Sequence, residues 1–171
     1  YWSQDGFRFS ADTSYRYSNG NGSLKWRYNL HEKHKMELAA GYDMYRYATY
    51  DKYNPVNSYE MTFSIQQVYS KLKFKSLLGK DHTLTYGVDA IGYDLSPGCY
   101  LPYGEESLVV ADILPKENAI EASAYLSHSW NISERFFMDY GLRYSLFTTK
   151  GKTYHHPEIR VSGRVMITDN I

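Results

Sequence analysis

The sequence FFMDYGLRYSLF, residues 136–147, decides the fold of this chain. Its even-numbered positions are all apolar or aromatic, whereas most of its odd-numbered positions are polar or glycine. Alternation with a period of two indicates a β-strand, because successive side chains point to opposite faces. A typical globular strand has about five or six residues, and a tilted strand that crosses a bilayer needs about 9–11. These twelve residues therefore predict a strand long enough to cross a membrane with its apolar face toward lipid.

The same unit occurs twice earlier in the chain, at residues 36–44 and 84–90. Each copy has apolar side chains at even positions and a glycine on the opposite face. A charged residue follows two positions after each glycine, as in Gly87 and Asp89 or Gly141 and Arg143. Glycine inside a strand marks a bend or a close approach by another element. We expect both features on the polar side of the sheet.

Composition narrows the class of protein further. The 171 residues suit a single domain, and 17% of them are aromatic, including 19 tyrosines. No apolar run approaches the roughly 18 residues of a membrane helix, and only helices or closed barrels cross bilayers, so any membrane crossing must use strands. The formal net charge of zero predicts no nucleic-acid partner. The single cysteine, Cys99, excludes an intrachain disulfide and falls in a predicted loop.

Eight strands are predicted by alternation, at residues 7–17, 24–30, 36–44, 59–77, 84–90, 120–130, 136–147 and 158–167. The first two are joined by turn residues 18–22. Connections after the second, fourth and sixth strands are short, as is the turn at 169–170, whereas long loops follow the third, fifth and seventh, at 49–57, 95–118 and 148–157. Short turns at one end and long loops at the other are typical of an antiparallel up-and-down transmembrane β-barrel.

A soluble barrel or sandwich with its apolar face turned inward would show the same alternation. Two features disfavour that alternative. A soluble sheet has no reason to keep strands of this length or to place short and long connections at opposite ends. Its apolar row would also bury many tyrosine hydroxyls in a dry core, where each needs a partner.

No catalytic residue, metal site or cofactor is predicted. His155 and His156 are adjacent, so on a strand they would point to opposite faces and chelate poorly together. Asp43, Asp89 and Asp139 fall on the polar face, where acids beside lysine or arginine suit a water-filled lumen. Binding is instead expected from the long loops, where such residues usually lie. The candidate ligand-binding residues are Tyr53, Asn54, Tyr100, Tyr103, Glu105 and Glu106.

Two short motifs carry a family resemblance. The sequences YGLRY at 140–144 and HPEIRVS at 156–162 follow AYLSHSW at 124–130. In this order and spacing they resemble the barrel of TonB-dependent outer-membrane receptors, including the SusC-like group. Ile159 stands where that family usually has proline.

The resemblance implies a sector of a barrel of about 22 strands closed by a plug. Residues 1–171 would be a barrel portion without the plug and the remaining strands. The activity implied is TonB-dependent uptake of a bulky nutrient across the outer membrane of a Gram-negative bacterium, without enzymatic chemistry. The implied partners are membrane lipid, the plug and the rest of the barrel, the TonB energy-coupling protein and, in some members, a surface lipoprotein.

The alternative is a complete eight-stranded outer-membrane barrel that acts as an adhesin, a structural protein or a lipid-modifying enzyme. In that case the first and last strands would pair and leave no edge. In a sector of a larger barrel, those two strands would be separated. The chain closes on turn residues rather than on an aromatic residue, which favours the sector.

Overall fold

The computed structural model describes residues 1–8 and 13–167. This part is built from strands, with one short 3-10 turn at Pro55–Asn57. The strands are β1 Trp2–Arg8, β2 Thr13–His31, β3 His34–Asp51, β4 Tyr59–Leu77, β5 His82–Pro102, β6 Asp112–Ile113, β7 Glu117–Asn131, β8 Phe136–Thr149 and β9 Lys152–Val165. The predicted all-β, antiparallel up-and-down class is confirmed. No helix in the described ranges is long and apolar enough to span a bilayer.

The strands form one sheet in the order β1-β2-β3-β4-β5-β7-β8-β9, with β6 paired to β5 outside this sequence. Every long strand therefore lies beside its nearest long neighbours in the chain, which is the up-and-down arrangement. β1 and β9 stand at the two ends of the order. This placement matches the prediction that the first and last strands do not pair with each other.

Two compact units divide the chain. Unit 1 contains Tyr1–Ser23, Gly41–Val68 and Gly92–Ala119, and unit 2 contains Leu24–Ala40, Tyr69–Ile91 and Ile120–Ile171. The loops after β3 and β5 belong to unit 1, and the short turns after β2, β4 and β7 belong to unit 2. The predicted turn at 169–170 lies outside the described residues, as do residues 9–12 of the predicted first strand.

The first hairpin differs from the prediction. Residues 18–22 were expected to form a turn, but they lie inside the continuous strand β2. The register pairs Trp2 with Gly20 and Phe7 with Tyr15, so residues 7–8 and 13–17 of the predicted first strand lie on two antiparallel strands, β1 and β2, rather than on one. A Cβ at Gly20 would come within 2.9 Å of the Trp2 ring, which shows that glycine is needed here for packing rather than for a turn.

The predicted loop at 148–157 is also wrong. A two-residue turn, Lys150-Gly151, joins β8 to β9, and the ladder begins directly at Thr149 and Lys152. Both turn residues have positive φ, 50° and 73°, as the tight turns that match the twist of a hairpin require. Lysine is an unusual residue at such a position. Pro157 lies within β9, opposite Tyr144 in the ladder.

The two remaining long loops are shorter than predicted. β3 continues to Asp51, so the first loop covers 52–58 rather than 49–57. β5 continues to Pro102, so residues 95–102 are strand and the second loop covers 103–116. Within this loop, β6 pairs with β5 through Cys99–Ile113 and Tyr100–Asp112. The returning loop thereby supplies hydrogen-bonding partners that lengthen β5 beyond the prediction.

Unit 2 has two contrasting faces. The β8–β9 ladder places Leu142 opposite Ile159 on one face and Arg143 opposite Glu158 on the other. We call the first the apolar face; its exposed side chains include Val88, Leu126, Leu142, Ile159 and Val161. We call the second the polar face; it carries Asp89, Tyr125, Ser127, Arg143 and Arg160. This assignment agrees with the sequence pattern.

Candidate functional site

Two loops of unit 1, residues 52–58 and 103–116, are joined by hydrogen bonds. The backbone N–H of Tyr103 donates to the Ser58 carbonyl at 3.1 Å, and that of Leu108 donates to the Val56 carbonyl at 2.8 Å. The hydroxyl of Ser107 donates to the Ser58 carbonyl at 2.6 Å, and the Ser58 hydroxyl bonds the carbonyl of Tyr103. We call these two segments the loop pair. Its backbone is ordered by mutual bonds rather than by burial of apolar side chains.

An open hollow of about 360 Å³ lies within the loop pair. The hollow of the loop pair is lined by Lys52, Pro55, Ser58, Tyr103, Gly104, Glu105 and Glu106. The Lys52 ammonium lies 4.4 Å from the centre of the Tyr103 ring, and Tyr50 meets that ring edge-on at 5.9 Å. Cation–π contact and the edge-on pair both hold the Tyr103 ring in place. The result is an aromatic wall beside one cation and two carboxylates.

The six predicted ligand-binding residues are only partly brought together. Tyr103, Glu105 and Glu106 line the hollow of the loop pair. Asn54 caps the 3-10 turn, because its side-chain oxygen accepts the N–H of Val56 at 3.0 Å. Tyr53 is 81% exposed. Tyr100 packs against Tyr59, with ring centres 4.9 Å apart.

Tyr100 and Tyr59 belong to unit 1, which also contains a second group of stacked aromatic rings. Tyr47 stacks on Tyr15 at 6.3 Å and on Tyr17 at 6.4 Å, and the Phe63 ring lies 6.2 Å from it. Their contacts depend on strand register, which the sequence does not specify. Such rings offer flat, amphipathic surfaces to a ligand.

The polar face of unit 2 holds an ion pair that spans three strands. Arg143 on β8 reaches Asp89 on β5, with Nη2 3.3 Å from Oδ1, and the Ser123 hydroxyl on the intervening β7 donates to the same carboxylate. The Arg143 Nε also donates to Ser145 at 3.2 Å. Asp89 was predicted on this face beside a basic residue. The structure identifies that residue as Arg143.

The repeated glycines of unit 2 allow close approach. A Cβ at Gly87 would lie 2.3 Å from the Leu72 carbonyl oxygen and 2.8 Å from the Tyr125 hydroxyl. A Cβ at Gly141 would lie 2.7 Å from the Leu126 carbonyl oxygen. Tyr125 therefore lies over Gly87, where any other residue would push it away. Both glycines serve the close approach that the sequence pattern predicted.

The sequence analysis did not predict Lys52 and Ser58 as site residues. Lys52 lies within the predicted loop and next to Tyr53, so its position was consistent with a role in binding. Its contact with Tyr103 depends on how the two loops pack against each other, which the sequence does not specify. Ser58 was a loop-end residue with no distinguishing pattern. In the described ranges no group of three or more His, Cys, Asp or Glu is placed to hold a metal ion.

Solved structures that share this fold include TonB-dependent receptors of the outer membrane, the class that the motifs resemble. The ferric preacinetobactin receptor BauA from Acinetobacter baumannii superposes with a TM-score of 0.68 at 11% identity. The copper transporter OprC gives 0.61 at 16%, and the ferric yersiniabactin uptake receptor FyuA from Yersinia pestis gives 0.59 at 15%. At such identities the likeness establishes the fold alone.

These matches cover 92%, 94% and 94% of this chain, but only 29%, 33% and 28% of BauA, OprC and FyuA, respectively. The chain therefore spans about a third of the length of these neighbours. No protein-family model and no curated protein matches the sequence. All three neighbours are receptors or transporters rather than enzymes, in agreement with the non-enzymatic function predicted from the sequence.

Proposed function

We propose that this chain is a wall sector of a TonB-dependent outer-membrane receptor that imports a bulky nutrient. The observation that carries the proposal is the shared fold, which covers more than nine-tenths of the chain in three receptors or transporters of metals or metal chelates. The remaining barrel strands, the plug and the TonB protein belong to this proposal as partners. The position of β1 and β9 at the ends of the sheet order supports a sector over a complete small barrel.

Lipid is the partner proposed for the apolar face. Leu142, Ile159 and Val161 are 60%, 79% and 65% exposed. Burying apolar surface is worth about 25 cal/mol per Å², so a row of such side chains left in water would be unfavourable. In a bilayer the same row needs no protein cover. The polar face would then line the lumen.

The loop pair is proposed as the ligand-contacting element at the outer surface of the cell. It combines the Tyr103 ring with Lys52, Glu105 and Glu106, so it offers a stacking surface and both signs of charge. Within the loop pair, Tyr53 is exposed and Asn54 fixes the 3-10 turn. A bulky polar ligand is better matched to this open arrangement than a small apolar one. Tyr100 supports the strands beneath through Tyr59.

Uptake measurements test the function. A strain that lacks the gene is compared with one that carries it, using radiolabelled ferric siderophores, Cu²⁺ and fluorescent oligosaccharides as probes. We expect the gene to restore uptake of one probe, and a protonophore to stop uptake while surface binding persists. Uptake of every probe that is independent of the gene would contradict transport, as would uptake unaffected by the protonophore.

Substitutions in the loop pair test where the ligand binds. Tyr103→Ala combined with Glu105→Gln and Glu106→Gln is expected to weaken binding of the transported probe. Tyr154→Ala is the matched control, because Tyr154 is also exposed but lies on β9, outside the loop pair. Equal binding by both variants, at equal amounts of folded protein, would exclude the loop pair as the contact site.

An epitope inserted after Gly104 tests the orientation. Gly104 has φ of 86° and open space around it, so an insertion there disturbs no packed side chain. We expect an impermeant antibody to label the epitope on intact cells. An epitope inserted between Asp81 and His82, in a short turn, should be labelled only after the outer membrane is permeabilised. The reverse pattern would invert the proposed topology.

A further inference from the structure

Two histidines that are 46 residues apart in sequence meet on the apolar face of unit 2. His82 begins β5 and His128 lies near the end of β7, the neighbouring strand in the sheet. The Nδ1 atom of His82 is 3.2 Å from Nε2 of His128, and the two ring planes differ by only 9°. No sequence pattern indicates this pair, because its formation depends on the β5–β7 register.

Aromatic side chains enclose the pair on its flanks. The Trp130 ring stacks on His82 at 5.5 Å, and Tyr140 meets His128 edge-on at 5.0 Å. The Nδ1 atom of His128 is buried and has no hydrogen-bond partner among the residues that the structure describes. The aromatic contacts thus hold both rings in position, and His82 Nδ1 and His128 Nε2 lie within hydrogen-bond distance of each other.

The pair is separate from the polar face that the proposed function uses. His128 follows Leu126 by two positions and so shares its face, whereas Ser127 points to the polar face with Asp89 and Arg143. The pair also lies at the short-turn end of the sheet. There the backbone of Asn131 bonds the Asp81 carbonyl at 2.8 Å, and the connections are exposed to solvent.

We propose that His82 and His128 form a binding site for a divalent transition-metal ion of the Zn²⁺, Cu²⁺ or Ni²⁺ type. Imidazole nitrogen suits these ions, with Zn–N bonds of about 2.0–2.1 Å. Two such bonds to nitrogens 3.2 Å apart enclose an angle of about 100° at the metal. This angle is close to the tetrahedral value, so the separation of the two nitrogens suits a single metal ion bound between them.

Metal binding replaces the hydrogen bond between the rings. The shared proton moves to the other nitrogen of the ring that carries it. His82 Nδ1 and His128 Nε2 are then both unprotonated and can each bind the metal through a lone pair. No third His, Cys, Asp or Glu joins them within the described ranges, so water fills the other coordination positions. The site is therefore an exchangeable one that cross-links β5 to β7, and it is distinct from the cargo path.

Calorimetric titration of ZnCl₂ and NiCl₂ into the untagged protein, purified in detergent and freed of metal by chelation, tests the proposal. We expect one saturable site and a higher thermal unfolding midpoint in the presence of the metal. His82→Asn and His128→Gln place an amide near the lost ring nitrogen, so they can retain a hydrogen bond while removing a metal ligand. Each should abolish saturable binding.

His156→Asn is the matched control, because His156 is exposed on the polar side of β9 and outside the pair. It should bind metal as the unaltered protein does. Heat-dependent mobility on gels verifies that each variant is folded before titration. Absence of saturable binding by the unaltered protein would overturn the proposal. So would binding that survives in both folded variants of the pair. Neither result would affect the proposed transport function, which uses other residues.

Discussion

The two faces of unit 2 differ in the way their side chains are accommodated. On the polar face, the side chains of Asp89 and Arg143 are only 15% and 27% exposed, and they are joined to Ser123 and Ser145. On the apolar face, Leu142 and Ile159 are paired across β8 and β9 and yet remain 60% and 79% exposed. Charged groups are thus better covered than leucine and isoleucine. This is the reverse of the arrangement expected in a water-soluble domain.

This contrast shows which interactions hold the strands of the sheet together. Among the described residues, Ala48 is the one buried apolar side chain, so no apolar core holds the strands together. The strands are held together instead by backbone hydrogen bonds, by close packing at glycine and by polar contacts between strands. The apolar face contributes only when the surroundings are themselves apolar, which is the condition that the proposed bilayer provides.

The largest expected effect comes from a charge on the apolar face. Leu142→Arg should destabilise the membrane-inserted protein by about 2–4 kcal/mol if its face meets the bilayer interior. Ser162→Arg is the control on the polar face, where the new guanidinium would lie opposite Asp139 in the ladder. Urea unfolding in lipid vesicles measures both. Equal tolerance of the two variants, or greater damage from Ser162→Arg, would contradict the assignment of faces.

A smaller effect is expected from filling the space at Gly87. Gly87→Ala would place a methyl 2.3 Å from the backbone oxygen of Leu72, and such overpacking typically costs about 1–3 kcal/mol. Gly92→Ala on the same strand is the control, because no atom lies within 4 Å of its added methyl. That change should be neutral or stabilising by up to about 1 kcal/mol. Vesicle unfolding that shows the same stability for both variants would refute the close approach of Tyr125 and Leu72.

The Asp89–Arg143 pair should contribute less to stability than the close packing at Gly87. Both side chains are partly exposed, so solvent screens them and we expect a coupling of about 1 kcal/mol. A double-mutant cycle with Asp89→Asn and Arg143→Gln isolates this coupling from the loss of the Ser123 bond. Additive effects of the two substitutions would show that the contact contributes nothing to stability.

Period-two alternation was sufficient to predict the class of the fold and the two faces, because every strand repeats the same rule. Local exceptions were harder. Lys150 and Gly151 form a tight turn although lysine seldom has positive φ, and the Asn-Gly sequence at 19–20 lies in a strand, where the Trp2 ring packs on Gly20. The six candidate binding residues came from loop composition, while the contact of Lys52 with Tyr103 depends on tertiary structure. The His82–His128 pair depends on strand register, and no sequence pattern predicts it.

The smallest effect should come from the exposed ion pair on β9. Arg160 Nη2 lies 2.6 Å from Glu158 Oε2, but the two residues are neighbours on one strand and the Arg160 side chain is 67% exposed. A short distance in water is offset by the entropy lost in fixing two flexible side chains, and salt screens the attraction further. Arg160→Gln should therefore leave the urea midpoint unchanged, whereas Arg143→Gln should lower it. Measurement of both variants at low and high salt sharpens the contrast between a covered and an exposed pair. A loss of stability in Arg160→Gln as large as that in Arg143→Gln would mean that partial burial of Asp89 and Arg143 does not strengthen their interaction.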